Sequence, residues 1–150
     1  MWPFTKKTPV DDDTPATHTW FVSERTHSGN PMIVRADAAF RGRGGVAGYT
    51  HQVGIAVPLR KPEPNGLPST EESEQLNIIE ETIVGELESG RESMLVAVIT
   101  TNGMREFVLY TKDPKKMQER FERWKELLVS HELQMMMQPD KEWDVYNRLV

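Results

Sequence analysis

The chain has 150 residues, 37% hydrophobic and 27% charged, with a formal net charge of −5. That length suits one domain with a real core, and the acidic balance opposes long-range attraction to nucleic acid or an anionic membrane. With no cysteine, disulfides, thiolate metal sites and cysteine nucleophiles are excluded within it.

Residues 1–16 read as a disordered tail. Three prolines and the run Asp11, Asp12, Asp13 leave too little apolar surface to offset the entropy of ordering. Behind Lys6 and Lys7 there is no apolar segment of the kind a secretory leader needs. Nowhere do about 18 apolar residues run together, so a cytoplasmic location away from the membrane is expected.

The stretch THTWFVSERTHSGNPMIVRAD predicts a β-hairpin turning at His27-Ser28-Gly29-Asn30. AAFRGRGGVAG follows as a glycine-rich loop, expected to be mobile, and YTHQVGIAVPL as a third strand. After the proline-broken RKPEPNGLPS, Ser69 and Glu72 form the S-x-x-E pattern of a capping box. Leu76, Ile79, Ile83 and Leu87 then make one helical stripe, and Gly90 is the expected stop. Residues 94–99 are uniformly apolar, as in a central strand, and Asn102-Gly103 is a strong hairpin signal. On the return strand Phe107 and Leu109 point one way, Val108 and Tyr110 the other. Asp113-Pro114 opens a second helix buried along Met117, Phe121, Trp124 and Leu128. HELQMMMQ reads as the last strand and Asp140 caps a closing helical turn.

The order predicts a single α+β domain over residues 17–150. Its core would be a ferredoxin-like split βαβ sandwich, an antiparallel sheet with two helices on one face. The N-terminal β-hairpin extends it, either on a sheet edge or as a meander with the third strand, and a short helix closes it.

Several landmarks resemble the domain of unknown function 695 family. They are Trp20 with Gly29-Asn30-Pro31, the loop Asn65-Gly66-Leu67-Pro68, and residues 76–80. Gly103-x-Arg105-Glu106-Phe107-x-x-Tyr110 and Asp140-x-Glu142-Trp143-x-x-Tyr146 complete the set. The match runs from Trp20 to Tyr146. A more distant similarity, to the regulator of ribonuclease E activity B, implies an α+β sandwich that acts by protein binding. It carries no functional residue over.

Chemical motifs are scarce. Gly42-x-Gly44-x-x-Ala47 matches the dinucleotide fingerprint literally, but a strand rather than a helix should follow, which removes the amides that face a pyrophosphate. His18, His27, His51 and His131 lack metal-ligand spacing and read as surface or half-buried side chains. Met135 and Met137 share a strand face with Met136 opposite, so they read as packing, not a thioether metal site. No catalytic residue, metal or cofactor is assigned.

The leading reading is a non-catalytic protein-interaction or regulatory module. The candidate surface is Arg41, Arg43, Asn65, Leu67, Trp143 and Tyr146. A second reading makes the loops 41–48 and 65–68, with the two rings, a small-molecule or enzyme site. A third is weak RNA binding through Lys115, Lys116, Arg120, Arg123 and Lys125. Trp143 and Tyr146 themselves are expected to clamp the last turn onto the sheet, with a ligand groove as the alternative.

Overall fold

A computed structural model describes residues 17–150; the expected tail, residues 1–16, lies outside the described residues. In chain order the elements are β1 (Trp20–His27), β2 (Asn30–Asp37), a 3₁₀ turn (Ala38–Phe40), β3 (His51–Pro58) and α1 (Thr70–Gly90). Then come β4 (Ser93–Thr101), β5 (Met104–Thr111), α2 (Pro114–Leu127), β6 (Gln134–Pro139) and α3 (Asp144–Leu149). Among the described residues six strands form one open antiparallel sheet in the order β1-β2-β4-β5-β3-β6. The hairpin therefore extends an edge: β2 pairs β4 from Met32↔Thr101 to Ala36↔Ala97.

Two cores lie on opposite faces of the sheet. On one, Val53, Ile55, Val57, Val98, Phe107 and Leu109 meet Leu76, Ile79 and Ile83 of α1 and Met117, Phe121 and Trp124 of α2. On the other, Val34, Ala36, Val108 and Tyr110 meet Phe40, Val46, Trp143, Tyr146 and Leu149. The alternation expected on β5 is thus observed: Phe107 and Leu109 serve the first core, Val108 and Tyr110 the second. On β6, Met135 and Met137 pack against the first core while Met136 is exposed.

The turns and caps show how local chemistry sets boundaries. Ser28 and Gly29 both take positive φ, 54° and 84°, which closes the two-residue first hairpin. The Asp113 carboxylate accepts from the Lys116 N–H at 3.0 Å, as expected of a cap. The Ser69 hydroxyl accepts from the Glu72 N–H at 3.1 Å, but the reciprocal half of the capping box is absent. Glu72 instead turns its carboxylate inward, where it accepts from the Lys61 N–H (3.2 Å), the Arg60 N–H and the His131 ring (2.7 Å). Those donors tie the β3–α1 loop to the α2–β6 loop. They outweigh the upward pull of burial and hold the Glu72 carboxyl below its ordinary range.

Gly90 is not the left-handed stop. Arg91 takes that conformation (φ 63°), while Gly90 is helical, and a Cβ on it would lie 2.1 Å from the Arg120 guanidinium. A side chain there would have to displace the flexible ends of the Arg120–Glu92 ion pair (2.6 Å).

Candidate functional site

The helix layer is narrower than the sheet. The core under α1 and α2 draws on β3, β4, β5 and β6, and no β1 or β2 side chain enters it. Along the register Val22↔Arg35↔Val98, Val22 shares its sheet face with the helix-covered Val98, yet Val22 itself is 65% exposed. Trp20, two residues earlier on the same face, is 40% exposed. Two strands thus stand beyond the helices.

A groove of about 560 Å³ follows from this overhang. One wall is α1, through Glu80, Val84, Leu87 and Glu88; the opposite wall is His18, Trp20 and Arg35. Its floor is the start of β4, where Ser93, Met94 and Leu95 lie beyond the last β2–β4 pair, Ala36↔Ala97. Among the described residues, the β2-facing edge of residues 93–95 therefore has no ladder partner.

Each end of the groove is held by charge. Arg35 bridges the walls, donating to both Glu80 oxygens at 3.0 and 2.6 Å, and its guanidinium lies 5.5 Å from the Trp20 ring centre. At the other end the Tyr49 hydroxyl donates to the Arg91 carbonyl at 2.8 Å, and the Lys112 ammonium sits 5.2 Å from the Tyr49 ring centre. The Lys112 N–H donates to the Glu92 carbonyl at 2.9 Å, which joins that end to the foot of α1. His18 is spent on the wall: its Nδ1 pairs at 2.5 Å with Asp37, a fully buried carboxylate that also accepts from the Thr19 and Ala39 N–H groups.

The residues singled out from sequence fall elsewhere. Trp143 and Tyr146 are both 0% exposed. Trp143 stacks on Tyr110 at 4.0 Å and donates its indole N–H to the Tyr49 carbonyl at 2.9 Å; Tyr146 donates its hydroxyl to the Asp37 carbonyl. Asp140 caps α3, accepting from the Asp144 and Val145 N–H groups, and also accepts from the Tyr110 hydroxyl at 2.7 Å. Burial raises Asp140, but these donors prevail and leave its carboxyl below the usual range. Burial pushes Tyr110 far up and Tyr146 up to about 12.

Loop 41–48 is packed rather than free: Val46 is buried, and a Cβ on Gly45 would lie 2.8 Å from the Trp143 ring. Arg41 and Arg43 remain exposed, Arg41 with its guanidinium 5.4 Å from the Phe21 ring centre. Loop 65–68 lies at the other end of β3, where the Gly103 N–H donates to the Gly66 carbonyl at 2.8 Å; Asn65 is exposed and Leu67 half-buried. Eight residues of strand separate the two loops, about 25 Å at ~3.3 Å per residue. The six residues therefore do not converge.

The fingerprint Gly42-x-Gly44-x-x-Ala47 leads into β3, so it has no helix N-terminus to offer a phosphate. On α2, Arg120 and Arg123 pair with Glu86, Arg120 also with Glu92, and Lys125 with Glu122. Three of the five cations in the expected basic face are thereby matched to carboxylates. Contrary to the expectation of surface or half-buried histidines, His131 is buried, because Glu72 and Ser130 satisfy its two ring nitrogens. Sequence reasoning missed the groove. The available signal was Trp20 and Val22 alternating on a strand, but that no described helix covers them is a tertiary fact.

An α+β chain with an open antiparallel sheet, buried ring clamps and a strand pair whose one face lies beyond α1 and α2 is the class defined by this geometry. The chain belongs to the family of unknown function DUF695, whose model matches residues 18–150. No curated protein and no solved structure matches it. No helix among the described residues is long and apolar enough to cross a membrane.

Proposed function

We propose that the chain is a non-catalytic interaction module that binds another protein through β1 and the uncovered face beside it. Within the sheet, the elements β3-α1-β4-β5-α2-β6 are read as a ferredoxin-like unit, and the hairpin as the addition that carries the working surface. One observation supports the reading above others: Val22 and Trp20 stay exposed on a strand that is the edge of the sheet among the described residues. Edge strands usually protect themselves with charge, and β1 does so at Glu24 and Arg25 only. An extended segment of a partner could pair with that edge, with Val22 and Trp20 supplying side-chain contact.

The test is the affinity of a captured partner for the wild-type chain, Val22→Lys and Leu127→Lys. Leu127 is exposed on α2, away from β1. Val22→Lys should weaken binding at least tenfold and Leu127→Lys should not. Equal affinities for all three chains would refute an interface at β1.

A further inference from the structure

The face beside β1 has the width of one more helix, and the flank of α1 that borders it fixes what such a helix carries. We infer that the partner element covering this face is a basic amphipathic helix. Its apolar side chains rest on Val22 and Trp20, and its lysines or arginines turn toward Glu81 and Glu88 of α1. The inference rests on the β1 interface proposed above and names the chemistry of the partner.

Width comes first. Among the described residues α1 and α2 cover the side chains of four strands, and the core beneath them takes nothing from β1 or β2. Two strands spaced ~4.8 Å apart present a strip about 10 Å wide, the diameter of one α-helix. An extended segment laid flat on that strip would leave its own N–H and C=O groups unpaired, whereas a helix bonds them internally.

Charge settles the sign. The 21 residues of α1 contain no lysine or arginine, so its carboxylates draw their cations from neighbouring elements. Toward α2, Glu86 receives Arg120 at 3.3 Å and Arg123 at 3.0 Å. The opposite flank bears Glu80, Val84 and Glu88, which line the groove toward β2, and Glu81, seven residues before Glu88, shares that side. Glu80 has Arg35 at 2.6 Å. Glu81 and Glu88 are exposed and have no ion pair among the described residues. Arg91 and Lys112 line the groove beyond the end of α1, which sets the partner's cations alongside the helix rather than past it. A basic helix on the strip would meet this flank as α2 meets the other, and an acidic one would be repelled.

The experiment titrates the isotope-labelled full chain with two synthetic helix-forming peptides of equal length. One is built of leucine, alanine and lysine; the other has glutamate for every lysine. The lysine peptide should move the Trp20 indole and the β1 amides and leave the indoles of the buried Trp124 and Trp143 in place, and the glutamate peptide should not bind. Glu81→Lys combined with Glu88→Lys should weaken the lysine peptide about tenfold, the scale of two exposed charge pairs reversed. Glu119→Lys combined with Glu126→Lys, both exposed on α2, changes the net charge equally and should leave the affinity near that of wild type. The inference is overturned by equal binding of the two peptides, by an equal loss in the two double variants, or by a lysine peptide that leaves Trp20 unmoved. It is overturned also if Trp20 shifts on dilution of the chain alone, which assigns the strip to a second copy, or if binding appears only once residues 1–16 are removed. Val22→Lys separates the two readings. If it weakens both peptides alike and the α1 variant weakens neither, the β1 interface stands and the basic helix falls. If the lysine peptide binds Val22→Lys as tightly as wild type, the interface itself falls.

Discussion

Truncating Trp143 removes more than a terminal ring. Its side chain has no exposed surface, stacks on Tyr110 (4.0 Å, 11°), and meets Phe40 and Tyr146 at 5.3 and 5.5 Å. Its N–H is bonded to the Tyr49 carbonyl at 2.9 Å. Truncation of a buried tryptophan costs ~3–5 kcal/mol through lost transfer energy and the cavity left behind. The Tyr49 carbonyl then loses its indole partner, which adds ~1 kcal/mol or more if water cannot reach it. The cost of φ 61° is unchanged, since alanine keeps the Cβ that causes it. The net expectation for Trp143→Ala is about 4 kcal/mol, a large part of the ~5–15 kcal/mol a domain of this size has. Urea melts followed by far-ultraviolet dichroism give the value. Limited proteolysis should find α3 cut first, because Asp140 and Tyr110 hold it only while the ring stack persists. A loss below 1 kcal/mol would show that the ring is not the clamp.

Gly45→Ala should destabilise by ~1–3 kcal/mol from its φ of 99° alone, and by more because its new methyl would meet Trp143 and the Lys141 carbonyl; thermal melts decide. Trp124→Phe should cost less than Trp143→Phe in the same denaturant assay, since the Trp124 N–H is buried with no partner among the described residues and its loss removes an unsatisfied donor. Glu72 and Asp140 have carboxyls held below their ordinary values of 4.5 and 3.8, so the unfolded chain binds protons first. Stability should be full above about pH 4.5 and fall as the pH drops through the folded values, with Glu72→Gln flattening that acid limb. Tyr146, pushed up to about 12 from 10.0, contributes stability below pH 10 that is lost between pH 10 and 12; Tyr146→Phe should blunt this alkaline loss in melts across that range.

Much of the fold was legible because it rests on local chemistry. The stripe 76, 79, 83, 87, the Asp113-Pro114 cap and the Asn102-Gly103 turn each act within a few residues, and each appears as read. What escaped was set by distant partners. Glu72 left its capping box because two amides and His131, far along the chain, offered better partners. Gly90 ends α1 as read, but the left-handed turn falls one residue later, at Arg91. The aromatic spacing of Trp143 and Tyr146 announced burial correctly and a surface site poorly, since a ring pair reads the same from either side of a packing decision. The groove was illegible for a related reason: it exists where two helices fail to reach across six strands, and no single segment encodes an absence.

The most direct test of the interaction surface is a crosslinking map in native extract, with a photoreactive residue placed in turn at Val22, Arg43, Asn65 and Leu127. A β1 interface predicts a discrete adduct from position 22 that competes away when excess unlabelled wild-type chain is added, and little from the other three. Adducts from position 43 or 65 with none from 22 would contradict it and return the working surface to the loops.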